Sequence, residues 1–346
     1  MDKQMGIATT KIFIGILIAL AIGIGIYAVT QLDTTGEKGS GLSKAYDYDI
    51  EELAKIDPNL ILYEESAEAI STGLMTARAI AVDLEGRICV AGDNVIRIFT
   101  DSGGLVRDVR LAGSPRCLTI TNEGKFYVGM RDHIEVYGAD GKRSATWKSL
   151  GKDAVLTSVA VSKNDVFVAD AGNRLVVHYD TAGKLLNYIG EKDKNRNIPG
   201  FHIPSPYFDV AVGSDGLLRV ANTGRMSIEV YTFDGDLEFS WGKASVKLED
   251  FTPCCNPVNF AILDDDSFVT CEKGLTRVKI YNADGTFVGV VAGPKQLVES
   301  GTCRICFLPA QCQKGGFDVA VDRAGRVFVL DTIKNVVRIF SRKKAS

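Results

Sequence analysis

AIAVDLEGRICVAGDNVIRIFTDSG, from Ala79 to Gly103, is the stretch whose reading decides the fold. Its apolar and β-branched residues alternate at period two in three short runs, as half-buried strands require. Glu85-Gly86 stands between the first two runs, where a tight turn needs residues that tolerate positive φ. A single small sheet of this kind cannot bury both of its faces, so it needs neighbours.

The neighbours are in the same chain. The phrase recurs as CLTITNEGKFYVGMRDHIEVYGADG from Cys117, SVAVSKNDVFVADAGNRLVVHYDTAG from Ser158 and DVAVGSDGLLRVANTGRMSIEVYTFDG from Asp209. It returns as NFAILDDDSFVTCEKGLTRVKIYNADG from Asn259 and DVAVDRAGRVFVLDTIKNVVRIFSRK from Asp318. A further β-run follows most closing glycines, as in FVGVVAG after Gly285. Six four-stranded units in series predict an all-β, six-bladed propeller.

The wording of the copies resembles NHL repeats: AVD-x-x-G-R-I-x-V-A from Ala81, N-x-I-R-I-F from Asn94, then a D-x-x-G turn. The resemblance spans about residues 77–341. It implies that connections from outer to inner strands share one face with the loops between second and third strands. It also implies a protein that binds more often than it catalyses. The last copy stops at its third strand, so the run LILYEES (Leu60 to Ser66) is expected to supply the missing outer strand and close the ring.

With Asp83 as reference, the equivalent positions are Thr121, Ser162, Gly213, Leu263 and Asp322, at spacings of 38, 41, 51, 50 and 59. The last three intervals hold long connections at 190–208, 242–258 and 292–317. Three enlarged loops on one rim read as a built-up binding face, or as insertions that surface loops tolerate cheaply.

Six of eight cysteines are expected to converge between blades five and six: Cys254 and Cys255 in the second long connection, Cys271 at the end of a second strand, and Cys303, Cys306 and Cys312 in the third long connection. Three readings stay open. Disulfides would pin the loops of an exported domain. Cys303-x2-Cys306 has the spacing of a ligand pair, and with Cys312 and one of the others it would hold zinc or an Fe-S cluster. A redox-active dithiol is the third. Cys89 and Cys117 sit at strand positions and read as small core residues.

Histidine is scarce. His133 and His178 fall in third strands, and only His202 in FHIPSPYF is placed to reach the rim. Peptidylglycine-amidating lyases of the resembling class use several histidines around zinc, which this chain does not supply. Nor is there a G-x-S-x-G or P-loop signature.

Inner strands open at Ala79, Cys117, Ser158, Asp209, Asn259 and Asp318, and second strands end at Asp93, Arg131, Asp170, Asn222, Cys271 and Asp331. Asp170, Asp209, Asn222, Asn259, Asp318 and Asp331 would together make an oxygen-rich funnel suited to Ca²⁺. The alternative is that these side chains cap loop N–H groups.

Ile12 to Val29 is uninterrupted apolar sequence, IFIGILIALAIGIGIYAV, which as a helix is about 27 Å long and matches a bilayer core. Lys3 and Lys11 precede it while Asp33 and Glu37 follow, an asymmetry that keeps the N-terminus inside. The expected order is a cytoplasmic N-terminus (1–11), a transmembrane signal anchor (12–30), a linker (31–59) and the propeller (60–346). A cleaved signal peptide is the alternative for the apolar run. This places a single-pass protein in a bacterial inner membrane with its propeller on the periplasmic side. A net charge of −3 argues against nucleic acid as a partner. The expected function is a membrane-tethered binding or scaffold module engaging a partner protein or small ligand. An electron-transfer or metal-dependent component using the cysteines, and a Ca-dependent lactonase-like hydrolase, are the alternatives.

Overall fold

A computed structural model describes residues 15–27, 50–253, 255–298 and 316–344. The chain divides into two units, residues 1–49 and 50–346. In the first, residues 15–27 are helical with exposed apolar side chains such as Ile18, Ile22 and Tyr27. Among the described residues no helix is long and apolar enough to cross a membrane. The structure therefore does not carry the expected span over 12–30, whose two ends lie outside the described residues.

The second unit is six antiparallel sheets, five of them four-stranded meanders and the sixth five-stranded, because Ile70–Ser71 also pairs with its third strand. Blade 3 runs Leu156–Ser162, Asp165–Asp170, Leu175–Asp180 and Leu185–Ile189 from the inside outward. Blades 1, 2, 4 and 5 open with the inner strands Ala77–Val82, Cys117–Ile120, Val210–Val212 and Asn259–Ile262. Blade 6 holds Asp318–Val321, Val327–Asp331 and Val336–Arg342, and Tyr63–Glu65 completes it from the other end of the unit. Tyr63 pairs with Arg342 and Glu65 with Phe340, so the seam closes as the truncated last repeat predicts.

Residues 50–59 belong to this unit rather than to a linker. A short helix, Ile50–Leu53, is tied to blade 5 where Arg277 Nη2 donates to the Leu53 carbonyl.

The repeat phrase has a physical reason. In Asp83-x-x-Gly86-Arg87, the Asp83 carboxylate accepts the N–H groups of Glu85 and Arg87 and pairs with Arg87 Nε at 2.6 Å. Gly86 takes φ +77°, which a side chain would strain. Asp322, Gly325 and Arg326 repeat the device in blade 6, with the ion pair at 2.7 Å.

Apolar layers lie between adjacent blades. One cluster between blades 5 and 6 contains Val269, Cys271, Val278, Phe317, Val319 and Val329. Two of the long connections also fold inward. Phe201, Ile203 and Phe208 of 190–208 join the core between blades 3 and 4, and Phe251 of 242–258 packs on Trp241. These segments are structural wedges, and only parts of them remain at the rim.

Candidate functional site

The six residues that open the inner strands, Ala79, Cys117, Ser158, Asp209, Asn259 and Asp318, all line one central cavity of about 240 Å³. Inner strands of neighbouring blades belong to separate sheets, so edge N–H and C=O groups along the channel need partners from elsewhere. Four of these residues provide them across a blade boundary. Asp209 Oδ2 of blade 4 accepts the Phe260 N–H of blade 5 at 2.7 Å. Asp318 Oδ2 of blade 6 accepts the Ile80 N–H of blade 1 at 2.8 Å. Asn259 Nδ2 donates to the Phe317 carbonyl at 2.7 Å, and the Ser158 hydroxyl meets the backbone of Val210. The channel ring is thus a set of staples between blades.

Asp209 is buried and Asp318 half-buried at the channel wall. Burial pushes Asp209 up to about 6, against the opposing hydrogen bond from Ser158. Burial, and then the neighbouring charge of Asp209, pushes Asp318 up to about 7.

The remaining half of the predicted funnel is elsewhere. Asp170 accepts N–H groups of Val155, Gly172 and Asn173 and the Asn173 side-chain amide. Asn222 accepts from His202 N–H and donates to Glu229, while Asp331 accepts from Ile333 and Lys334 N–H. Asp93 and Glu272 act alike: Asp93 accepts from Met75 and Thr76, Glu272 from Thr252. This second ring anchors loops, mostly the loop entering its own blade. The structure brings Asp209, Asn259 and Asp318 to the channel and commits Asp170, Asn222 and Asp331 to loop backbone. Among the described residues no group of three or more His, Cys, Asp or Glu side chains is placed to hold a metal ion. Most of the carboxylate oxygens proposed for Ca²⁺ accept N–H groups: both oxygens of Asp170, Asp209 and Asp318, and Oδ1 of Asp331.

Of the predicted cysteine cluster, Cys254, Cys303, Cys306 and Cys312 lie outside the described residues. Cys255 and Cys271 form no disulfide, nor do Cys89 and Cys117. Cys271 is not a rim residue: it is fully buried in the apolar layer between blades 5 and 6, and burial pushes its thiol up. Its neighbour Glu272 is the anchor of that blade. His178 packs on Phe167 with Asp165 and Asn187 oxygens at its ring nitrogens, while His202 is exposed.

A buried charge cluster in blade 5 escaped sequence reasoning. Lys279 is fully buried, donates to the carbonyls of Leu248 and Asp250, and pairs with Glu272 at 3.2 Å. Its pKa is lowered by burial, with Glu272 opposing. The signal was present in CEKGLTRVKIY, where Lys279 stands at a third-strand position that four other copies also fill with a charged residue, Arg97, Glu135, Glu229 and Arg338.

Above the channel opens a larger vestibule of about 480 Å³. Tyr207 and Phe208 come from the first long connection, before blade 4, Gly316 from the third, before blade 6, and Thr332 and Ile333 from the loop between second and third strands of blade 6. Both loop classes therefore share one face. Arg78, Arg116, Thr157 and Asn259 line vestibule and channel alike and mark the passage between them.

Fold and site define a six-bladed β-propeller with a cavity at the loop-bearing mouth of its channel. No protein-family model and no curated protein sequence matches the chain. Among solved structures it is similar to a streptogramin B lyase at TM-score 0.56 and 12% identity, covering 82% of this chain and 99% of that one. Virginiamycin B lyase from Staphylococcus aureus is similar at TM-score 0.51 and 14% identity, covering 82% and 90%. The WD40 β-propeller domain of Doa1 is similar at 0.52 and 16%, covering 78% and 79%. At these identities the likeness is one of fold. The finer kinship with NHL repeats rests on the repeat phrases alone.

Proposed function

We propose that the chain is a binding propeller, tethered to a bacterial inner membrane by its N-terminal apolar run, that takes a small ligand or a partner protein's side chain in the vestibule outside the cytoplasm. The observation that carries the binding half is the vestibule itself. At about 480 Å³ it falls in the range of small-molecule sites, and loops from several blades converge on it. The tether rests on the apolar sequence from Ile12 to Val29 and its basic N-terminal flank. Nothing in the channel argues for catalysis, because its carboxyls are engaged with strand N–H groups.

Fragment screening by crystallography tests the site: bound fragments are expected to collect between Arg116, Tyr207 and Ile333. Fragments found only elsewhere on the protein would remove the vestibule reading. For the tether, C-terminal fusions to alkaline phosphatase and to a cytoplasm-restricted fluorescent protein give opposite signals. Active phosphatase with a dark fluorescent fusion is expected, and the reverse pattern overturns export.

A further inference from the structure

The described lining of the vestibule contains two arginines, Arg78 and Arg116, and no carboxylate, on a protein whose net charge is −3. Among the described residues neither guanidinium has a hydrogen-bond or ion-pair partner, and Arg131 stands close enough to add to the repulsion. Arg116 is half-buried, and its pKa is lowered first by that burial and then by Arg78 and Arg131. Asp209 and Asp318 lie deeper in the same passage, accept backbone N–H groups, and among the described residues form no ion pair with either arginine.

Two unneutralised guanidinia facing one cavity, one of them partly desolvated, repel each other unless something anionic lies between them. The nearby polar side chains do not offer a competing pattern. Thr157 donates to the Phe208 carbonyl, Asn259 to Phe317 and Thr332 to Gly316, so the arginines are the principal uncommitted donors. The same lining includes the apolar and aromatic side chains of Tyr207, Phe208 and Ile333, and Ile333 is 67% exposed.

We infer that the vestibule is an oxyanion site: Arg78 and Arg116 grip the carboxylate or phosphate head of a small molecule whose apolar body lies on Tyr207 and Ile333. Guanidinium forks match either head bidentately. This rests on the vestibule being the binding site, and it names the ligand class.

A matched probe set separates the two ideas. 4-Fluorobenzoate, 4-fluorophenyl phosphate and the neutral 4-fluorobenzamide are titrated by ¹⁹F NMR against the purified full chain. At least one anion is expected to bind tenfold or more tightly than the amide. That advantage should vanish in Arg78→Ala and in Arg116→Gln, shrink as salt rises from 50 to 500 mM, and persist in Arg110→Ala, an exposed arginine on the outer strand of blade 1. Arg78 is exposed, so its variant tests the idea even if Arg116→Gln unfolds. Anions and amide binding equally, with all lost in the cavity-filling Thr76→Trp, would overturn the oxyanion assignment and leave the vestibule reading standing. Anion binding indifferent to Thr76→Trp and to both arginine changes would overturn both.

Discussion

The channel ring and the anchor ring are built from the same residue types yet solve different problems. In the channel ring, Asp209 and Asp318 each reach over a blade boundary for a single N–H of the next inner strand. In the anchor ring, Asp170 gathers three N–H groups and an amide from loops of its own blade. Glu272 does the same work with a fully buried cation behind it. The difference teaches that a buried carboxylate is stabilised by how many donors converge on it, and that blade-to-blade contact leaves room for only one or two.

The anchor ring should break hardest. Lys279→Met leaves Glu272 charged and buried and orphans the carbonyls of Leu248 and Asp250, so it is expected to cost roughly 3–5 kcal/mol. Chemical denaturation measures this, and pairing it with Glu272→Gln should recover a good part. An unchanged midpoint for Lys279→Met would show that the cluster is not an anchor. Asp170→Ala comes next, at roughly 2–3 kcal/mol, because several N–H groups lose their acceptor at once. Amide exchange should quicken first at Val155 and Asn173, and protection unchanged there would contradict the assignment.

Sequence reading reached the fold because a propeller repeats its instructions. Period-two runs, the Asp-x-x-Gly-Arg turn and a truncated final repeat give blade number and the closing strand without any tertiary information. The channel ring was legible for the same reason: a position at the start of an inner strand is fixed by register. The anchor ring was half legible. Cys271 was read as the end of its strand and Glu272 was passed over, since a slip of one residue sends a side chain to the opposite face. The vestibule arginines were passed over. Arg78 and Arg116 each stand one residue before the position taken to open the inner strand, in different blades, so their shared register was available and passed over, while the cavity they share appears only on ring closure.

Acidity sharpens the comparison. Asp209 and Asp318 are raised on folding to about 6 and about 7, from an ordinary value near 4. The folded protein therefore holds protons that the unfolded chain has already released. Their stabilising contribution is complete below about pH 4 and is lost as pH rises through 6 and 7. Asp318→Asn keeps the shape and cannot ionise, so its melting temperature relative to wild type should improve between pH 5 and pH 8. A difference that stays constant over that range would mean the channel carboxyl does not change charge there.

The smallest effect isolates one hydrogen bond. The Ser158 hydroxyl contacts Val210 only at 3.3–3.4 Å, but it also opposes the burial of Asp209. Ser158→Ala should cost about 1 kcal/mol or less in stability. Its distinctive mark is electrostatic: without that donor the Asp209 carboxylate loses support, and its midpoint should move above about 6 in a carboxyl NMR titration. Asp318, which has no bond to Ser158, should stay near about 7. A titration in which Asp209 stays put while stability falls would make Ser158 a packing residue and leave the channel carboxyls held by backbone alone.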